Sequence, residues 1–520
     1  MQSGRQALLD ALQRLDQPVF VVETEDGPAV AAGGQAVLGA TPPPAGALPL
    51  LAYVPPLTPD RLGDPTFQDT YGVRVNYLAG AMANGIGSAE IVVEMAKAGM
   101  MGFFGAAGLP LEHVTLAIDR VQEEVGDLPY GFNLIHNPQE PQQEWRTVDL
   151  YLERGVRTVS ASAYLGLTPM VAAYRLHGIH TRADGRVMAP NRLLAKVSRE
   201  EVATHFLNPA PELLLRALVE QGRLTAREAK LAAHVPMADD LTAEADSGGH
   251  TDNRSLPVLL PLLCDLRDRI CEERNYERPV RVGAAGGLAT PASIASAFAL
   301  GAAYVLTGTV NQACVEAGTS PMVKEMLAEA SSADVGMAPA SDMFEAGVRV
   351  QVLKRGTLFA MRGEKLYHLY RTYGSLEALP DEERSWLETQ VLRRSVEEVW
   401  RECEAFFAER DPRQIERATT DPSHKMALVF RWYLGLSSRW AIAGDPDRRT
   451  DAQIWCGPAI GAFNAWTRGT WMADPAARRV VPVAANLMAG AAAITRARWL
   501  LQQGVSPGPE AERWIPRPVS

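Results

Sequence analysis

Cysteine is scarce in this chain. Five cysteines (Cys264, Cys271, Cys314, Cys403 and Cys456) are scattered through 520 residues without paired or ligand-like spacing. That excludes a disulfide framework and points to reduced thiols in a cytoplasm. Long apolar runs are missing too. The longest, 480–494, is interrupted by Pro482 and Asn486. It falls short of the ~18 residues a membrane-spanning helix needs and reads as a buried helix. The opening, Met1 to Asp16, is polar and charged, unlike a secretory leader. Positive charge is not in excess: the net charge is −10, which argues against a general affinity for nucleic acid or acidic membranes. No Gly-x-Gly-x-x-Gly occurs, so no separate nicotinamide-nucleotide domain is expected. Met237-Ala-Asp-Asp240 has acid but no histidine or cysteine at ligand spacing, and no metal site is expected.

What is present is an ordinary globular composition, 47% hydrophobic and 22% charged. Gln17-Pro-Val-Phe-Val-Val-Glu23 alternates weakly and predicts a strand in a small N-terminal β-containing segment. Proline-rich stretches at Pro42–Pro44 and Pro55–Pro56 read as linkers. From about residue 70 to 330, strands alternate with helices. Strands are predicted within 73–83, 101–105, 130–135, 155–162, 193–198 and 235–245, with two more near 280 and 303. Ser88 is placed to cap a helix with an apolar stripe of Ile91, Val92, Met95 and Ala96, ending near Gly99. Eight strand–helix units in roughly 250 residues match a TIM (β/α)8 barrel. A doubly wound sheet is the alternative, but it would want a reversal point and usually fewer strands. After 335 the chain becomes charged, aromatic and helical. The expected division is 1–62 as a small segment, 63–334 as the barrel, and 335–520 as a mostly helical extension on the barrel mouth.

The chemistry concentrates at strand ends. Gly286-Gly287 closes a short apolar strand just before a helix start at Thr290-Pro291, and Gly308-Thr309 closes the next strand. Two consecutive strands ending in small residues at helix starts make a phosphate cradle in an α/β barrel. Ser247-Gly-Gly-His-Thr251 follows the sixth strand. Gly248 and Gly249 clear space beside His250, whose imidazole suits proton transfer near neutral pH. The alternative for His250 is a hydrogen-bonded structural role. Asp246 and Asp252 flank it, and either orients the imidazole or caps a helix. Lys196 is a lone ammonium in an apolar strand; it serves a ligand, pairs with an acid or snorkels. Asn133 ends the third strand, and Ala79-Gly80-Ala81 keeps the end of the first one small. Arg349, Lys354, Arg355, Arg362, Lys365 and Arg371 form a local run of cations, read either as a docking patch for an acidic partner or as a solvated helix face.

Gly249-His250, Gly286-Gly287 and Gly308-Thr309, in that order, resemble the FMN-dependent 2-nitropropane dioxygenase-like flavoproteins, which include nitronate monooxygenases and one type of bacterial enoyl reductase. A narrower group is more similar: the trans-acting enoyl reductases of polyunsaturated fatty acid and polyketide synthases. The similar stretches are Glu244-Ala-Asp-Ser-Gly-Gly-His-Thr-Asp252, Ala338-Pro-Ala-Ser-Asp-Met-Phe-Glu345, Gln351-Val-Leu-Lys-Arg-Gly356, Phe430-Arg-Trp-Tyr-Leu-Gly435 and Gln453-Ile-Trp-Cys-Gly-Pro-Ala-Ile-Gly-Ala-Phe-Asn464. The resemblance implies an FMN site built from Ala79, Gly80, Asn133, Lys196, Gly248, Gly249, Gly286, Gly287, Gly308 and Thr309, with His250 as the catalytic residue. It also implies NADPH as a transient reductant and an enoyl-thioester substrate delivered by acyl carrier protein domains. Asp342 and Glu345 are expected to be structural ties. A nitronate-oxidising flavoprotein and a non-catalytic carrier-binding scaffold are the competing expectations. A homodimer through the helical extension is a further one.

Overall fold

The computed structural model describes residues 1–39, 41–138 and 140–518. Its contacts divide it into two compact units. The first holds Met1–Ala245, Arg254–Ala317 and Trp466–Ser520; the second holds Asp246–Asn253 and Gly318–Ala465.

The first unit is built on a closed barrel of eight parallel strands in sequential order. Strands one to four are Tyr77–Ala79, Met101–Phe104, Gly131–Ile135 and Thr158–Ser162; strands five to eight are Arg192–Val197, Asp240–Glu244, Arg281–Ala285 and Val305–Thr307. Each lies in or beside its expected stretch, and closure leaves no reversal point. Local chemistry sets the crossovers. The Ser88 hydroxyl accepts from the Ile91 amide and opens helix Ala89–Lys97, whose Ile91, Val92, Met95 and Ala96 are buried. Gly99, at φ 74°, ends that turn.

Alternate residues of each strand face the barrel interior, which is filled in layers. The floor carries charge: Arg281 donates to Asp240 at 2.6 and 3.0 Å, and the Tyr71 hydroxyl donates to the same carboxylate at 2.5 Å. Burial pushes the Asp240 carboxyl up, and the Arg281 ion pair works against it. Above lies an apolar layer with Leu78, Met101, Phe103, Leu194 and Tyr304. Glycine is required opposite the two large rings. A Cβ at Gly131 would stand 2.3 Å from the Phe103 ring, and one at Gly283 2.3 Å from the Tyr304 ring.

An N-terminal sheet, with Val19–Thr24 at its heart, packs on helix Val480–Gln502 through Leu12, Val21, Val54, Ala497 and Leu500. That helix is long and apolar enough to cross a membrane, but it is largely buried inside the unit. It is the buried helix expected, longer than the apolar run because it continues through Pro482 and Asn486 and beyond Ile494. Pro482 sits in the first turn, where an amide would lack a partner anyway, and the Asn486 side chain donates to the Pro482 and Arg517 carbonyls. The compact units therefore cut the chain elsewhere than at 62/63 and 334/335: the helix that covers Pro291–Ala299 and the N-terminal sheet lies within 466–520.

The second unit is a three-stranded antiparallel sheet with helices. The two-residue strand Gly249–His250 pairs with Arg349–Leu353, which pairs with Val335–Pro339. Its core is aromatic and aliphatic, with Phe344, Phe359, Phe430 and Tyr433 all fully buried. Asp451 is buried among Arg362, Arg393 (3.0 Å), Arg448 (3.2 Å) and the Tyr433 hydroxyl (2.9 Å). This corrects the cationic patch: Arg362 is interior, Arg349 pairs with Glu364, Lys365 with Glu383 at 2.7 Å, and Arg355 lies 3.8 and 3.9 Å from Glu329 and Asp334. Carboxylates cancel most of the charge that the sequence run suggests.

Candidate active site

The carboxyl end of the barrel combines two glycine turns and a polar crescent. After strand seven, Gly286 (φ 87°) and Gly287 (φ 71°) turn the chain in the left-handed region toward helix Pro291–Ala299. Thr290 caps that helix in a reciprocal box with Ser293. After strand eight, Gly308 caps the short helix Thr309–Gln312. A Cβ built on Gly287 or Gly308 meets nothing within 4 Å, so both turns border open space. Backbone amides at paired helix starts, with no side chain in front of them, fit a phosphate group.

The top inward layer supplies the rest. Lys196 and Glu244, on neighbouring strands, form an ion pair at 2.5 Å, with side chains 15% and 25% exposed. The acid-pairing alternative for Lys196 is thus the one the structure adopts. Asn133 Nδ2 donates to the Ser160 carbonyl at 3.0 Å and to Ser162 Oγ at 3.2 Å. Gly80 faces inward with no room to spare: a Cβ there would meet Leu306 Cδ2 at 2.4 Å. Ala79 is fully buried and alternates to the opposite face from Leu78 and Gly80, so only its backbone borders the interior. Asn133, Lys196, Gly286, Gly287, Gly308 and Thr309 all belong to this end of the first unit.

Gly248, Gly249 and His250 belong to the second unit. Gly249, at φ 79°, pairs with Gln351, and His250 pairs with Val350. Gly248 is dictated by packing, since a Cβ would stand 2.6 Å from the Cys456 Cα. His250 Nε2 lies 3.3 Å from Asp342 Oδ1, with both side chains about half exposed. Burial would raise the Asp342 carboxyl, but the hydrogen bond and charge of His250 outweigh it and hold it below the ordinary value. Asp246 does different work: it accepts from Gln351 Nε2 at 2.9 Å and Asn253 Nδ2 at 2.8 Å, tying the loop to its neighbouring strand. Asp342, expected to be only a tie, is therefore the carboxylate beside the imidazole. Glu345, expected to tie the barrel to the extension, instead lies 3.3 Å from Arg431 within the second unit. Asp342 stands in a similar stretch, Ala338 to Glu345, that the sequence singles out, but nothing in one sequence pairs it with a histidine so far upstream.

Comparison with known proteins places this geometry. Residues 73–362 match the nitronate monooxygenase family, and residues 373–452 match the inserted helical domain of [acyl-carrier-protein] S-malonyltransferase. The chain is 49% identical over 426 residues to a polyunsaturated fatty acid synthase protein of Thraustochytrium sp., a match that covers 81% of this chain and 28% of that protein. It is 44% identical over 443 residues to the polyketide biosynthesis protein PksE of Bacillus subtilis, covering 85% of this chain and 57% of that one. The chain thus spans less than two thirds of either relative. The crystal structure of the enoyl reductase domain of MlnA, from the macrolactin cluster of Bacillus amyloliquefaciens, superposes with a TM-score of 0.81 at 38% identity, covering 85% of this chain and 99% of that domain. The chain belongs to the nitronate monooxygenase family, together with the enoyl reductase domain of MlnA.

Proposed function

We propose that this chain is an FMN-dependent enoyl reductase, acting in trans on 2-enoyl thioesters held by acyl carrier protein domains of a polyketide or polyunsaturated fatty acid synthase, with NADPH as the transient reductant. The near-complete superposition on the MlnA enoyl reductase domain is the observation that carries this reading. The helical match at 373–452, to part of an enzyme named for an acyl carrier protein, supports a carrier-facing platform within 335–520.

FMN, when bound, would supply hydride transfer from NADPH to Cβ of the enoyl thioester. Gly286, Gly287, Gly308 and Thr309 would hold its phosphate through backbone amides and the Thr309 hydroxyl. Gly80, whose missing side chain makes room for Leu306, would offer the ring only its backbone, as would Ala79; Asn133 would give it a polar contact, and Lys196 would give it a positive charge. Gly248 and Gly249 shape the turn that presents His250. Asp342, 3.3 Å from His250 Nε2, would orient the ring. His250 would then protonate Cα or donate a hydrogen bond to the thioester oxygen, where negative charge gathers.

An absorption spectrum of the purified protein, followed anaerobically through NADPH and then a crotonyl thioester, tests the reading. Flavin bands that bleach with NADPH and return with the thioester are expected. Return only with oxygen or a nitronate would replace it with nitronate oxidation, and no flavin after adding FMN would leave a carrier-binding scaffold. His250→Ala should keep FMN and lose on the order of a hundredfold in turnover or more; wild-type turnover in that variant would remove His250 from the mechanism. Asp342→Asn should fall between the two.

A further inference from the structure

Lys196 reaches into the barrel mouth already paired with a carboxylate. Lys196 and Glu244 stand on adjacent parallel strands, with Lys196 in register with Thr242 and Glu244 two residues beyond it. Both belong to the inward-facing set, and both side chains are mostly buried. Asn133, Ser162, Gly80 and Ala285, which also stand at strand ends of the barrel, carry no charge. In the ion pair the positive and negative groups oppose each other.

We propose that Glu244 is a positioning residue that sets how strongly Lys196 favours the reduced form of the bound flavin; this rests on the FMN reading above. Hydride uptake adds two electrons and one proton to the ring, a net gain of one negative charge, while the nicotinamide donor is oxidised. An ammonium beside the ring stabilises that charge. A carboxylate 2.5 Å from the ammonium offsets part of its field and holds Nζ in place. Lys196 alone would pull the flavin equilibrium toward reduction and make the return of hydride to an enoyl group harder. With Glu244 opposing it, the flavin stays easy to reoxidise. At an effective dielectric of about 20, removing one full charge a few ångströms away changes such an equilibrium more than tenfold.

The test is a reductive titration of the FMN-loaded protein against reference dyes, comparing wild type, Glu244→Gln, Glu244→Asp and Lys196→Met. Glu244→Gln should shift the reduction equilibrium at least tenfold toward reduced flavin, about 30 mV for a two-electron couple. Lys196→Met should shift it the opposite way, and Glu244→Asp should stay near wild type. FMN affinity, read by fluorescence quenching, should change little in Glu244→Gln, which separates a tuning effect from a collapsed site. An unchanged midpoint in Glu244→Gln, with flavin bound and the reductase cycle intact, overturns the role of Glu244 alone. Failure of the wild type to bind FMN overturns the flavin reading and this inference together.

Discussion

Alanine at Gly308 tests the phosphate cradle with little confusion from folding. Gly308 has φ −123°, outside the left-handed region, and a Cβ there meets nothing within 4 Å. The folding cost is that of replacing a helix-capping glycine by alanine, roughly 0.5 kcal/mol. Gly287→Ala is the companion. The space beside Gly287 is equally open, but φ is 71°, so alanine costs about 1–2 kcal/mol of stability as well. If the open space is where a phosphate sits, either methyl group pushes it off one charge-assisted hydrogen bond. Such a bond is worth roughly 1.5–3 kcal/mol, or about tenfold to a hundredfold in affinity. The assay is FMN binding to flavin-free protein by fluorescence quenching, with thermal melting of the same samples. FMN should bind Gly308→Ala at least tenfold more weakly while the melting temperature barely moves. Gly287→Ala should lose a similar affinity and also melt earlier. Riboflavin, which lacks the phosphate, is the control and should bind both variants as it binds wild type. Unchanged FMN affinity in both variants, or an equal loss for riboflavin, refutes the cradle.

Two predictions concern the second unit. Asp451→Asn leaves Arg362 and Arg448 buried without their carboxylate and should cost about 3–5 kcal/mol in chemical denaturation; a cost below about 1 kcal/mol would mean that the arginines find other partners. His424 is buried, with Nε2 on Gln414 Oε1 at 2.9 Å, and burial, helped by the charge of Arg417, holds its pKa below the ordinary histidine value of about 6.5. Its contribution is fully present above that pH and lost as pH falls through the depressed folded value, because the unfolded chain takes the proton first. Melting temperature should therefore drop between pH 7 and 5.5 more steeply in wild type than in His424→Gln; parallel slopes would contradict this.

The barrel was legible because its strands are short runs with apolar residues at least at alternate positions, several of them ending near a glycine or a helix cap, and these signals are local. Ser88, Thr290 and the Gly286-Gly287 turn could be read from neighbours within a few residues. Contacts across long sequence separations could not. Asp342 meets His250 only because Arg349–Leu353 pairs with Gly249–His250. Arg362 looked like surface charge because its partner, Asp451, lies eighty-nine residues on. Lys196 left three possibilities open until strand six placed Glu244 beside it. The long C-terminal helix was legible as a buried helix; only its length was underestimated, because Pro482 and Asn486 break the apolar run, while a proline in the first turn and an asparagine bonded to nearby carbonyls do not break a helix.

The return of residues 466–520 to the barrel unit dictates where this chain can be divided. A truncation at about 334 would look natural on the sequence, yet it would strip helix Val480–Gln502 from Pro291–Ala299 and from the N-terminal sheet. It would also orphan the carbonyls of Leu12, Arg14 and Gln17, which Arg496 serves. Such a fragment would expose fresh apolar surface and should aggregate. The cleaner cut removes 318–465 and splices Ala317 to Trp466. The Val315 amide already donates to the Arg478 carbonyl at 2.8 Å, and Glu316 accepts from the Val480 amide at 3.1 Å, so the two flanks are stitched together before any splice is made. On these contacts the chain of the first unit closes behind 318–465, but Gly249–His250 would lose its partner strand Arg349–Leu353, so an exchange of the second unit would have to include Asp246–Asn253; the Gly286-Gly287 and Gly308 turns and the Lys196–Glu244 pair all belong to the first unit.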